Sequence, residues 1–316
     1  MIVTLTMNPA VDKTVAVDVL GLGETNRVSE VITDASGKGI NVSRALVKLG
    51  FSSTTAGFLA GQDGRWIEEE LLKQGITPKF TWLAQGRTRV NTKIYEKLTG
   101  RTTEVNEPGP IVQKIDEEAL WEDLDALIPV TQYLICSGSL PHGLATDFYA
   151  RLIKRYGNFD VRICLDTSGS ALASGVQARP YLIKPNLDEA EHLLGYVIDD
   201  LDSVQSAMKS FIQLGIPLVI LSLGEKGAIF YREGAEPLWA RAEAELIGST
   251  SGCGDALLAG VVSGLLAQRP WDETVRWSIA VATATAEIFG TKFPNLEHIE
   301  RVLPRVQVEK LSEGHW

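Results

Sequence analysis

The chain has 316 residues, 45% of them apolar and 22% charged, with a formal net charge of −10. That balance suits a globular enzyme, withholds the basic face that nucleic-acid binding needs, and requires any phosphate-bearing ligand to be held by a local basic pocket. There is no apolar run of about 18 residues to span a membrane. The opening MIVTLTMNPA lacks the basic and long apolar parts of a signal peptide, and Cys136, Cys164 and Cys253 with His142, His192, His298 and His315 have neither disulfide nor zinc spacing, so a cytoplasmic setting is expected.

In chain order, residues 2–7 read as a strand closed by Asn8-Pro9. Asp12 follows at that strand's carboxyl end, where ligands of open α/β sheets bind. Residues 14–19 and 27–33 are short alternating runs joined by GLGETN, which predicts a half-exposed hairpin. Gly37-Lys38-Gly39 then opens a helix with Ile40, Val42, Ala45, Leu46 and Leu49 on one face and Gly50 as its stop. This is half of a P-loop only, because Gly39 follows Lys38 where Ser or Thr belongs. It reads either as a tight turn or as glycines that admit a ligand to the backbone, with Asn41 adding a side-chain contact. A strand near 53–60 and a helix near 63–74 come next, with Asp63 able to cap that helix and Gly75 closing it. GRTRVNTKIYEK alternates, so Arg89, Asn91, Lys93 and Tyr95 share one strand face. That face is either solvated or phosphate-binding, since an Arg fork matches phosphate oxygens.

From 116 onward, helices at 116–127, 145–156, 187–194 and 203–214 accompany strands at 131–136, 161–165 and 217–222. The strands are continuous apolar runs, as in a parallel sheet covered on both faces. Hairpin strands near 227–232 and 236–241, a strand at 242–247 and helices near 254–267, 271–289 and 295–303 complete the chain. These predict one α/β domain over 1–316, with a mostly parallel central sheet, helices on both faces, and a small β excursion from about 11–35 and 87–106.

Chemistry concentrates at strand ends. Small polar turns stand at Asn8–Asp12, Ser137–Ser139, Asp166–Ser168, Lys184–Asn186 and Ser222–Gly224, along one edge of such a sheet. Converging Gly, Ser, Asn and Lys there suit a phosphorylated or nucleotide ligand. Gly252-Cys253-Gly254 is a small-residue turn into an apolar helix, which points several N–H groups at one spot and favours an anion. Asp255 beside it is either a cap for its own helix or a base for a hydroxyl attacking phosphorus. Asn186 and Glu189 could hold Mg²⁺ through water, or form a capping box. No strand is followed by G-x-G-x-x-G opening a helix, which disfavours a nicotinamide-dependent dehydrogenase.

GKGINVSRALVKLG followed by STSGCGD resembles the two signatures of the ribokinase-like sugar kinases, the PfkB family. TMNPAVD, SGSLP, IKPNLDE and SLGEKGA match in the same order, and the similarity extends over nearly the whole chain, closest to the sugar-phosphate subgroup. The resemblance implies a ribokinase-like fold and ATP-dependent, Mg²⁺-assisted phosphorylation of a ketohexose phosphate. The implied substrate is fructose 1-phosphate, with tagatose 6-phosphate as the alternative and a non-catalytic sensor as a distant third. It implies Asp255 as base and the Gly252, Cys253 and Gly254 backbone as an anion hole. Asp12, Gly39, Asn41 and Ser137 would line the sugar site, and Arg89, with Lys38 or Arg27, would take the sugar's phosphate. Lys184, Asn186 and Glu189 would serve the nucleotide phosphates and the metal, Ser222, Gly224 and Gly227 the ATP phosphates or ribose, and Ala282 the adenine. The β excursion would be a lid that pairs with another in a homodimer. Cys253, Ala256 and Ser36 depart from the family pattern, and a thiol at a helix start is expected to have a lowered pKa and to be sensitive to oxidation.

Overall fold

The structure, a computed structural model, describes residues 1–311 apart from Leu246, Ser249, Phe289 and Thr291. His315, and Phe289 at the end of the predicted helix 271–289, lie outside the described residues. The chain runs β1 (Ile2–Thr6), β2 (Ala10–Val17), β3 (Glu30–Ser36), α1 (Lys38–Lys48), β4 (Thr54–Leu59), α2 (Gly61–Lys73), β5 (Thr77–Trp82), β6 (Arg89–Glu96), β7 (Arg101–Val105) and α3 (Lys114–Leu127). It continues with β8 (Tyr133–Ser137), α4 (Phe148–Tyr156), β9 (Arg162–Asp166), α5 (Gly169–Gln177), β10 (Leu182–Ile183), α6 (Leu187–Leu194), α7 (Leu201–Gln213) and β11 (Leu218–Ser222). It ends with β12 (Ala228–Arg232), β13 (Leu238–Arg241), α8 (Cys253–Leu266), α9 (Trp271–Ala286), α10 (Leu296–Val302) and β14 (Gln307–Lys310).

A ten-stranded sheet has the order β14-β13-β12-β11-β10-β9-β8-β1-β4-β5. From β5 to β11 every neighbouring pair is parallel; β12, β13 and β14 join antiparallel at one edge. Every residue of β1, β4 and β8 is buried, because helices cover both faces. Alternate residues feed different cores: Val3 and Leu5 share one with Leu120, Phe148 and Leu152, while Ile2 shares the other with Leu46, Leu258 and Val261. Each such Leu or Ile taken out of water contributes about 1.5–3 kcal/mol.

A second sheet, in the order β3-β2-β6-β7, is formed by the segments expected to leave the main body. Its Val11, Ala35 and Val90 pack on Ile40, Ile67 and Leu71, so its base is anchored on α1 and α2. Two local expectations differ. Helix α2 starts at Gly61 with Ala60 at its N-cap, so Asp63 lies in the first turn and favours the helix dipole without capping. No strand forms among the described residues of 242–247, because β13 stops at Arg241, where its pairing with β14 ends. Strands β5, β10 and β14 and the Ala/Gly/Ser-rich α5 were not anticipated. No helix among the described residues is long and apolar enough to cross a membrane.

Candidate active site

Register alone assembles the first part of the site. Thr6 pairs with Ser137, and Ser137 with Asp166, so three polar side chains stand abreast at the ends of β1, β8 and β9. Ile183 pairs with Leu165, which places Lys184 one strand further along, and Asn186 bridges to Ser222 beyond it. Asp166 is fully buried. Burial opposes its ionisation, but Lys184 Nζ at 3.3 Å and Lys38 Nζ at 3.1 Å hold it below the usual carboxylate range. In return Asp166 raises the Lys38 pKa, against burial. Two ammonium groups are thereby fixed over the strand ends.

Helix α8 brings the second part. Gly252 is its N-cap at φ 84°, a left-handed conformation that a side chain would strain, and the turn gets no side-chain cap. Asp255 is therefore not a cap. Its carboxylate is buried and accepts a hydrogen bond from Asn41 Nδ2 at 2.9 Å, reaching α1 across the site. Burial and then Asp166 push its pKa up to about 6, against Lys38, Asn41 and Lys184. Such a group is ionised at neutral pH yet more basic than an ordinary carboxylate, as a general base should be. The Cys253 N–H donates to Thr250 O at 3.4 Å, a helix start gives its first N–H groups no partner four residues back within the helix, and Lys184 Nζ lies 3.2 Å from where a Cβ on Gly254 would stand. The helix start thus carries an ammonium, a dipole and a base within one turn. Cys253 departs from expectation: burial and then Asp255 push its thiol up to about 11, which overrides the helix dipole and removes the basis for a reactive thiolate.

Between the strand-end row, the start of α1 and the small sheet lies a cleft of about 230 Å³ whose lining includes Thr6, Asn8, Lys38, Arg89, Ser137 and Thr167. Thr6 Oγ1, Asn8 Oδ1, Asn41 Oδ1 and Ser137 Oγ are buried with no hydrogen-bond partner among the described residues. Buried polar atoms are normally satisfied by protein, ordered water or a ligand, so this cluster marks a polar site. Arg89, in the cleft lining, donates through Nε and Nη2 to Asn8 O at 3.2 and 2.9 Å and through Nη1 to Glu107 O at 3.4 Å. Asp12 is buried against Asn91 Nδ2 at 3.0 Å and Lys93 Nζ at 2.9 Å, so the strand face of β6 is not a solvated one. 

Four residues expected at the sugar site are not in the cleft lining: Asp12 and Asn41, which engage Asn91, Lys93 and Asp255, and Gly39 and Arg27. A Cβ on Gly39 would come within 2.4 Å of Thr6 Oγ1 and 2.9 Å of Leu5 O, so Gly39 lets α1 approach β1 and is not part of the lining. Arg27 is exposed, at the far end of the β2–β3 hairpin. Asn186 and Glu189 form the capping box of α6, each side chain accepting from the other's N–H. Ser222 and Gly224 continue the strand-end row; Gly227 is required by packing, since its Cβ would lie 2.1 Å from Ala240 O. Ala282 packs on the core beneath α9. Asp166 was legible only as a turn residue, although an acid closing the apolar run VRICL is the signal for it. Thr6 carried no signal, because it sits inside a strand pattern.

Comparison with known proteins decides the family. The model of the pfkB family carbohydrate kinases matches residues 2–298. The chain belongs to that family. The kinase is 32% identical to a 1-phosphofructokinase of Bacillus subtilis, over 98% of this chain and 100% of that one. It is also 32% identical to a tagatose-6-phosphate kinase of Staphylococcus epidermidis, over 98% and 99%. The structure of phosphofructokinase-2 from Escherichia coli shares the fold at a TM-score of 0.90, with 24% identity over 96% of this chain and 98% of that one. The ribokinase-like architecture expected for this kinase is therefore the observed one.

Proposed function

We propose that this kinase transfers the γ-phosphoryl group of ATP to a ketohexose phosphate, taking fructose 1-phosphate at its 6-hydroxyl. The observation that carries the reading is Asp255: a buried carboxylate oriented by Asn41, at a helix start faced by Lys184. As the sugar oxygen attacks phosphorus, its proton passes to Asp255, and the first-turn N–H groups with Lys184 meet the charge on the phosphoryl oxygens. Arg89 and Lys38 hold the phosphate already on the sugar, while Asp12, Asn41 and Ser137 orient its hydroxyls. Lys184, Ser222 and Gly224 line the path of the nucleotide phosphates, with the adenine towards Ala282.

The donor set suits a magnesium ion. Glu189 spends one oxygen in the capping box and keeps the other, and no group of three ligating side chains is found among the described residues. A magnesium ion held mainly by water and nucleotide phosphates, with Glu189 and Asn186 behind them, fits that arrangement and would neutralise phosphate charge. The sheet β3-β2-β6-β7 acts as a lid that excludes water, and two such sheets meet in a homodimer. Three unbridged thiols suit work in a reducing cytoplasm.

A second acceptor, tagatose 6-phosphate at its 1-hydroxyl, is supported by the equal identity to relatives of both names. A coupled assay over fructose 1-phosphate, fructose 6-phosphate, tagatose 6-phosphate and free fructose separates the two. We expect the highest kcat/KM with fructose 1-phosphate, and for Arg89→Ala a KM for it raised about 10- to 100-fold, as loss of a charged hydrogen-bonding group predicts. An unchanged KM in that variant removes Arg89 from the phosphate site.

A further inference from the structure

Helix α1 links the two halves of the site through three side chains of its own. Lys38 holds Asp166 and Asn41 holds Asp255. The third, Arg44, touches neither carboxylate. Its side chain is only 10% exposed, and burial lowers its pKa against the pull of Asp34 and Asp12. Burying a guanidinium is costly unless its donors are used. Its ion pair with Asp34 is long, at 3.5 Å. The remaining contacts go elsewhere: Nε donates to Gln74 Oε1 at 3.0 Å, Nη1 to Ala35 O at 3.4 Å, and the guanidinium carbon lies 5.7 Å from the centre of the Phe293 ring. Asp34 and Ala35 belong to β3, and Asp34 pairs across the sheet with Asp12. Gln74 closes α2. Phe293 in turn lies against the phosphoryl turn: a Cβ on Gly252 would stand 3.7 Å from its Cζ.

From this chain of contacts we propose that Arg44 is a positioning residue that couples the small sheet to the Gly252 turn through Phe293. The planar guanidinium suits the task, because it can hydrogen-bond β3 in its own plane while its face lies on a ring. Sugar phosphate bound at Asp12 and Arg89 loads the small sheet. Arg44 carries any shift of β3 to Phe293, and Phe293 sets the turn whose N–H groups receive the phosphoryl group. The inference rests on the assignment of the Gly252 turn as the anion hole and of the small sheet as the sugar-phosphate side.

The test is a double-mutant cycle with Arg44→Met and Phe293→Leu, plus Arg44→Lys, assayed with ATP and fructose 1-phosphate alongside the wild type. Melting temperatures identify the folded fraction. Each single variant is expected to lose about tenfold in kcat per folded enzyme, with KM for ATP within about twofold. The double variant is expected to be no worse than the poorer single one, because interacting residues give non-additive effects. Hydrogen exchange at residues 252–256 is expected to slow on adding fructose 1-phosphate in the wild type and to stay unchanged in Arg44→Met. Multiplicative losses in kcat, a fall in melting temperature with unchanged kcat, or the same exchange response in Arg44→Met would each overturn the proposal. Wild-type turnover in the same plates reports on the choice of sugar phosphate independently, and an inactive Arg44→Met is replaced by Arg44→Lys, which keeps the charge but loses the planar fork.

Discussion

Asp255 is where a single side chain has the most to explain. A buried carboxylate beside another carboxylate is held on to more proton than in the unfolded chain, with its pKa moved from 3.8 to about 6. Raising the pH from 4 through 6 therefore costs stability, since the folded state must release a proton that the unfolded chain has already lost. Asp255→Asn removes that cost and the base together. It should lower turnover by ~10²–10⁴ while raising the melting temperature at neutral pH; unchanged turnover with saturating substrates sinks the base assignment. The pH profile gives a signed check. The acid limb of kcat/KM should lie near pH 6, where Asp255 loses its proton. Asn41→Ala removes a donor that favours the ionised form, so the limb should move to higher pH; Asp166→Asn removes the neighbouring charge, so it should move lower. A limb that stays put in both variants assigns the titration to another group. Asn41 and Asp255 could be singled out from their motifs, but their 2.9 Å contact spans 214 positions of sequence and has no local signature.

At the scale of elements, α8 is the part most constrained by its neighbours. Every residue from Asp255 to Gly264 is buried, so the helix has no solvent face and no amphipathic pattern. It lies against α9 at a distance set by Gly260, whose Cβ would come 2.6 Å from Ser278 Cα. Backbone cannot yield there as a side chain would, so Gly260→Val should destabilise the kinase by roughly 1–3 kcal/mol or more. The measurement is a denaturant titration, and an unchanged midpoint contradicts the close crossing. Because α8 also carries Asp255, the variant should lose turnover along with stability. Strong apolar runs and small-residue turns made β8, β9, β11 and α8 legible, whereas α5 and β10 were not. A nine-residue Ala/Gly/Ser helix and a two-residue strand are too weak in pattern to stand out, and form because their neighbours bury them.

For the whole molecule, the exposed end of the small sheet bears on assembly. Val31, Val15 and Ile94 stand in register across β3, β2 and β6, and Val105 on β7 pairs with Thr92, two residues before Ile94. Val31 and Val105 are 49% and 58% exposed, and Leu22 and Leu98, in the loops that join β2 to β3 and β6 to β7, are 89% and 77% exposed. Such a grouping of apolar side chains is a common mark of an interface. We expect a dimer by light scattering, and a monomer for Val31→Glu combined with Val105→Glu, because two buried charges per chain would oppose closure. A monomeric wild type, or a charged variant that remains dimeric, removes the small sheet from the interface.

Sequence by itself determined the class of fold, the strand-end row of small polar turns and the Gly252–Asp255 turn. Those features are local: period, breaker residues and helix starts are written in neighbouring positions. Tertiary structure alone decided which polar residues meet. It set Asp166 between Lys38 and Lys184, turned Asn41 onto Asp255, kept Asp12, Asn41, Gly39 and Arg27 out of the cleft lining, and buried Cys253 so that its thiol is pushed up instead of down. The reason is physical: a pKa or a hydrogen bond depends on burial and on charges from distant segments, and those are fixed only when the sheet register and the α1–α8 packing are in place.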